Sequence, residues 1–163
     1  MGRNKYALKT NRSSLTMPVT EIDYLSYVET TAHQCVDILV AENLVKRPKT
    51  FKRLLVIKIK AVKRGWGGLT RRTSRGKRNP RITIPKRFAS ATGLFPEYKS
   101  FQNDHQIGSF NSNNTRHHIA AIVVHEVAHA ADHWSGDFSS HGSEWRGRYR
   151  ILRKELGLIF DNY

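Results

Sequence analysis

With 163 residues, 39% of them hydrophobic and 25% charged, the chain fits one soluble globular domain and holds no apolar run of membrane-spanning length. Its single cysteine excludes an internal disulfide and any cysteine-based zinc finger or ribbon. A formal net charge of +15 makes a polyanion, either nucleic acid or an anionic surface, an expected neighbour.

Residues 1–19 are polar and basic (Arg3, Lys5, Lys9, Arg12) and carry no helical or strand period. They are expected to form a flexible basic arm ahead of one domain over 20–163. No apolar signal-peptide core follows the first positive charges, so a cytoplasmic location is expected, or a nuclear or nucleoid one depending on the host. Thr20 is a candidate N-cap, with Glu21 and Asp23 in the first turn. Leu25, Val28, Ala32, Cys35, Val36 and Leu39 then recur at three- and four-residue spacing. That spacing predicts a helix with one apolar stripe, ending before Pro48, with Cys35 as a core residue.

Phe51 to Val62 reads as a strand, from its β-branched content and its alternation from Ile57 onward, with Lys58 and Lys60 on the solvent face. Gly65, Gly67 and Gly68 form a turn around Trp66, Leu69–Thr73 a short second strand, and Arg81–Pro85 a third. The two longer strands are expected to pair in one small antiparallel sheet, which makes the class α+β. Between Glu42 and Glu97 there is no acidic residue, whereas lysine and arginine are frequent. A solvated face usually mixes signs, so this stretch is a candidate nucleic-acid contact through Lys58, Lys60, Arg64, Arg71, Arg72, Arg75, Lys77 and Arg78. Contact by phosphate charge is sequence-tolerant and salt-sensitive. Residues 89–114 have no sustained period and form a long loop able to flank a cleft.

The apolar run Ile119–Val124 leads into His125-Glu126-Val127-Ala128-His129, on a helix expected from about Arg116 to Trp134 and capped by Asn114 or Thr115. Residues four apart on a helix share a face, about 5.4 Å from each other. His125 and His129 therefore aim two imidazoles at one point, as a tetrahedral zinc ion requires. Glu126 is rotated to the side of that face, where it serves as a general base rather than a ligand. Five-residue patterns also recur by chance. Against chance stands the apolar run: it buries the helix, and a buried glutamate between histidines needs a chemical reason. A break at Ser135-Gly136 follows, and His141-Gly142 supplies a returning chain that can close the site. Ser143 then caps a last helix with Trp145, Tyr149, Leu152 and Leu156 on one face, ended by Gly157.

His125-Glu126-x-x-His129, followed by His141-Gly142-x-x-Trp145 at the start of an amphipathic helix, resembles the SprT-like zinc metallopeptidases, a family that includes DNA-dependent proteases. The order of upstream elements is similar as well, over roughly residues 20–160. The resemblance implies a zincin-like fold in which the small sheet packs on the N-terminal helix and the metal helix. It implies one zinc ion held by His125, His129 and His141, Glu126 as catalytic base, and Trp145 packed behind the third ligand. Glu144 and then Asp137 follow His141 in order of preference as third ligand. The implied activity is a zinc-dependent endopeptidase acting on proteins bound to DNA, single- or double-stranded. It would be a minimal version without the cysteine ribbon that members of the family often carry after the catalytic part, touching DNA through its own basic face. The alternative is a basic nucleic-acid-binding protein whose zinc site is structural or vestigial.

Overall fold

The computed structural model describes residues 21–60, 69–71, 79–86, 115–137 and 141–158. The expected basic arm, the Thr20 cap and the 89–114 loop lie outside the described residues. Among the described residues, four helices, α1 (Glu21–Ala41), α2 (Pro48–Leu54), α3 (Thr115–Ser135) and α4 (Ser143–Glu155), accompany three strands, β1 (Val56–Lys60), β2 (Leu69–Arg71) and β3 (Arg81–Pro85). The α+β class is as expected. No helix among the described residues is long and apolar enough to cross a membrane.

Helix α3 is the hub. Ile119 through Val124, Val127, Ala128, Ala130 and Ala131 are all buried, so its apolar surface runs around the helix rather than along one stripe. A helix of that kind must be covered on several sides. It is covered by α1, α4, β2 and β3. In α1 the buried stripe is Tyr24, Val28, Ala32, Cys35, Val36, Ile38 and Leu39. It begins at Tyr24 rather than at Leu25, which is 38% exposed. The Tyr24 hydroxyl donates to the Pro85 carbonyl at 2.6 Å and ties α1 to the end of β3.

The expected strand over Phe51–Val62 is shorter than its composition suggested. Pro48 opens α2, where its fixed φ and missing N–H are tolerated, and Phe51 is buried within that helix against Trp134, with ring centroids 6.1 Å apart. The strand begins only at Val56.

The sheet corrects a second expectation. Its order is β1-β3-β2, and the two longer strands, β1 and β3, run parallel, with Val56 opposite Arg81 and Ile59 opposite Ile84. Only β2 is antiparallel, pairing Thr70 with Ile82. The burial of β3 gives the physical reason: Ile82, Thr83, Ile84 and Pro85 are buried in succession, which is the mark of a central strand covered on both faces. Among the described strands β2 lies on one side of β3 and β1 on the other, with Lys58 and Lys60 exposed.

Three helices end alike. Asn43 (φ 52°), Gly136 (φ 92°) and Gly157 (φ 71°) take the left-handed conformation that closes α1, α3 and α4. After each, the next N–H reaches back to close the last turn: Leu44 to Leu39, Asp137 to Asp132, and Leu158 to Arg153, at 2.7–2.9 Å.

Candidate metal centre

The left-handed turn at Gly136 stops α3 two turns after His129, and α4 begins close by. His141 itself is left-handed (φ 55°), and Gly142, in extended conformation, occupies the N-cap of α4. Ser143 is the first helical residue rather than the expected cap. A non-glycine residue at positive φ is uncommon and costs on the order of 1–3 kcal/mol, and such strain persists where the surroundings enforce it. Here the enforced conformation brings a third imidazole to the first two.

The Nε2 atoms of His125 and His129 lie 3.1 Å apart, those of His129 and His141 3.1 Å, and those of His141 and His125 3.2 Å. A tetrahedral ion about 2.0–2.1 Å from each nitrogen spaces them roughly 3.3 Å apart, so the triangle fits such an ion with little adjustment. Three like nitrogens converging on one point form a ligand set, since no arrangement of ring protons satisfies all three edges with hydrogen bonds. Among the described residues, these three form the single group of His, Cys, Asp or Glu side chains able to hold a metal ion.

Burial keeps the three imidazoles in the state a metal needs. His125 is held well below the ordinary histidine value, first by burial and then by His129 and His141. His129 is brought down to about 3 by burial, with His141 and His133 adding to it. His141 is lowered by burial and by Arg146. Neutral rings at pH 7 present their lone pairs without first losing a proton.

Trp145 is fully buried and lies against all three rings, with centroids 4.8 Å from His125, 5.2 Å from His129 and 4.5 Å from His141. Its indole N–H donates to the His125 carbonyl at 3.3 Å. The expectation placed it behind the third ligand; it forms the floor beneath the whole set. Tyr149 stacks on Trp145 at 4.7 Å, and its hydroxyl is pushed up to about 12, chiefly by burial.

Glu126 is buried and outside the ligand set. The Thr70 hydroxyl of β2 reaches its Oε2 at 2.6 Å and its backbone carbonyl at 3.0 Å. Nothing in the sequence singled out Thr70, because its relevance depends on β2 lying beside α3.

The competing ligands are engaged elsewhere. The Glu144 side chain is 68% exposed, with a carboxylate oxygen 3.8 Å from Arg148 Nη1. Asp132 pairs with Arg148, and Asp137 does not join the histidine group. His133 stacks beside His129 at 6.0 Å without entering the triangle.

Of the basic residues, Lys58 and Lys60 are exposed on β1. Arg71 belongs to β2, with its side chain outside the described set, and Arg64, Arg72, Arg75, Lys77 and Arg78 also fall outside it. Strands lie about 4.8 Å apart, so β1 sits roughly 10 Å across the sheet from the strand that touches Glu126. Comparisons with family models, curated proteins and solved structures return no match for this chain.

Proposed function

We propose that this chain is a zinc-dependent endopeptidase of SprT-like, zincin-like type, acting on proteins bound to DNA. The observation that carries the proposal is the closed triangle of three Nε2 atoms, with a buried glutamate at the next position after His125 that is not part of the ligand set. A structural zinc site normally has four protein ligands, whereas three leave one position for reacting groups.

A zinc ion bound there would supply Lewis acidity for a water and a carbonyl. His125, His129 and His141 would hold it, over the floor that Trp145 forms. Glu126 takes a proton from the attacking water on its carboxylate and returns it to the leaving amine. Beside it, β2 lies at one edge of the sheet among the described strands, and a sheet edge can offer backbone N–H and C=O groups to an extended peptide. That fits a polypeptide substrate.

DNA enters through charge. The acid-free stretch between Glu42 and Glu97, with Lys58 and Lys60 exposed, supports a phosphate contact that concentrates the enzyme near its substrates. The same charge favours the second reading, a nucleic-acid-binding protein with a structural or vestigial zinc site.

Glu126→Gln separates the two. On the peptidase reading it retains zinc and DNA binding while cleavage of a DNA-bound basic protein falls by roughly 10²–10⁴-fold, the scale of a lost general base. Equal cleavage by wild type and variant, or none by either, would favour the second.

A further inference from the structure

We propose that Thr70 is a positioning residue for Glu126: its hydroxyl, carried on β2, sets the orientation of the carboxylate toward the three-histidine centre. Glutamate has three side-chain torsions, and fixing them costs entropy of up to about 2 kcal/mol. A base that must meet one point beside an ion therefore needs a second contact to hold it. Thr70 Oγ1 supplies one at 2.6 Å from Oε2, and it lies 3.0 Å from the carbonyl of the same residue. The single hydroxyl proton goes to the nearer oxygen, Oε2, and because both oxygens belong to Glu126 the hydroxyl still sits between that side chain and its own backbone. Few rotamers satisfy both distances.

The hydroxyl is itself well placed. Threonine is β-branched and stiff about χ1, so its Oγ1 direction follows from the backbone. That backbone is set by antiparallel pairing of Thr70 with Ile82, a fully buried residue of the central strand. The strand therefore acts at the site through its one described side chain, which contacts the base. Aligned hydroxyl donors to a carboxylate are the stronger, charge-assisted kind of hydrogen bond.

The kinetic arm of the test rests on the peptidase reading; the spectroscopic arm does not. Wild type, T70V, T70S and E126Q are loaded with Zn2+ for cleavage of a labelled unfolded protein and with Co2+ for visible absorption. Valine keeps the shape and removes the hydroxyl, whereas serine keeps the hydroxyl. T70V is expected to bind one metal ion and to lose roughly 10–100-fold in kcat with little change in KM, as for other residues that orient a metal site from outside the ligand set. T70S should recover most of that rate. The Co2+ absorption of T70V should depart from wild type in the same direction as that of E126Q. If T70V does not fold, Thr70→Ala, which puts no second methyl against Glu126, provides the same readouts.

A Co2+ spectrum unmoved in T70V overturns the proposal, as does a T70S rate no better than that of T70V. An inert wild type with a shifted T70V spectrum removes the peptidase reading and leaves the role of Thr70 standing.

Discussion

The two edges of the sheet meet different surroundings. At the β2 edge, Thr70 touches a buried glutamate beside three imidazoles that burial keeps neutral. At the β1 edge, Lys58 and Lys60 stand in water. On the proposed reading, chemistry at the first edge would depend on angles and distances of a few tenths of an ångström. The proposed attraction of DNA at the second would depend on net charge, which tolerates side-chain motion and is screened by salt. The two edges should therefore respond to substitution independently.

The largest effect is expected from His129→Ala, which should abolish stoichiometric zinc binding, measured by metal analysis after dialysis. Glu144→Ala and Asp137→Ala should retain one ion per chain. Zinc loss from either of these, with retention in His141→Ala, would reverse the ligand assignment.

Next comes Trp145→Ala, which removes the fully buried floor beneath the rings. Large-to-small changes of this kind cost about 3–5 kcal/mol, readable in denaturant unfolding of the zinc-free protein. Trp145→Phe should cost less, since it keeps a ring against the imidazoles. A loss below about 1 kcal/mol for the alanine variant would mean that the floor contributes little packing.

A third effect follows from titration. His129 is brought down to about 3, and His125 and His141 are lowered too, from an ordinary value of 6.5. The folded metal-free protein then binds fewer protons than the unfolded chain, so stability present above about 6.5 is lost progressively as pH falls toward 3. Asp132, pushed up to about 6 by burial against the pull of Arg148, acts in the opposite sense between its ordinary value and that one. Three histidines outweigh one aspartate, so the metal-free protein should melt at a lower temperature at pH 5 than at pH 7. An equal or higher melting temperature at pH 5 would contradict this account of the site.

The smallest effect belongs to the β1 edge. Replacing Lys58 and Lys60 together with alanine should lower the salt dependence of DNA binding by about one or two in slope. Zinc content and cleavage of a free unfolded protein should not change. A drop in zinc content would mean that the two edges are not independent.

Much of the centre was legible from residue spacing. His125, Glu126 and His129 fall within one helical turn, and an apolar run before them made the helix buried. His141 was legible as a histidine after a helix break, though not its left-handed backbone, which no spacing pattern announces. Strand direction was not legible. Alternation reports which face a residue occupies and is blind to whether its neighbour runs parallel, so the β1–β3 pairing came out opposite to expectation. The β-branched content of Phe51–Val62 as a whole suggests a strand through Phe51, but that content starts only at Val56, and Pro48 starts a helix that includes Phe51. Thr70 gave no signal because a three-residue strand has no period and its partner, Glu126, lies 56 positions away.

The central claim is a metal held by three histidines and no other side chain. X-ray absorption at the zinc edge of the loaded protein tests it directly. The account predicts three imidazole nitrogens and one solvent oxygen at about 2.0–2.1 Å. A fourth protein ligand, whether imidazole, sulfur or a carboxylate, would contradict it and make the site structural.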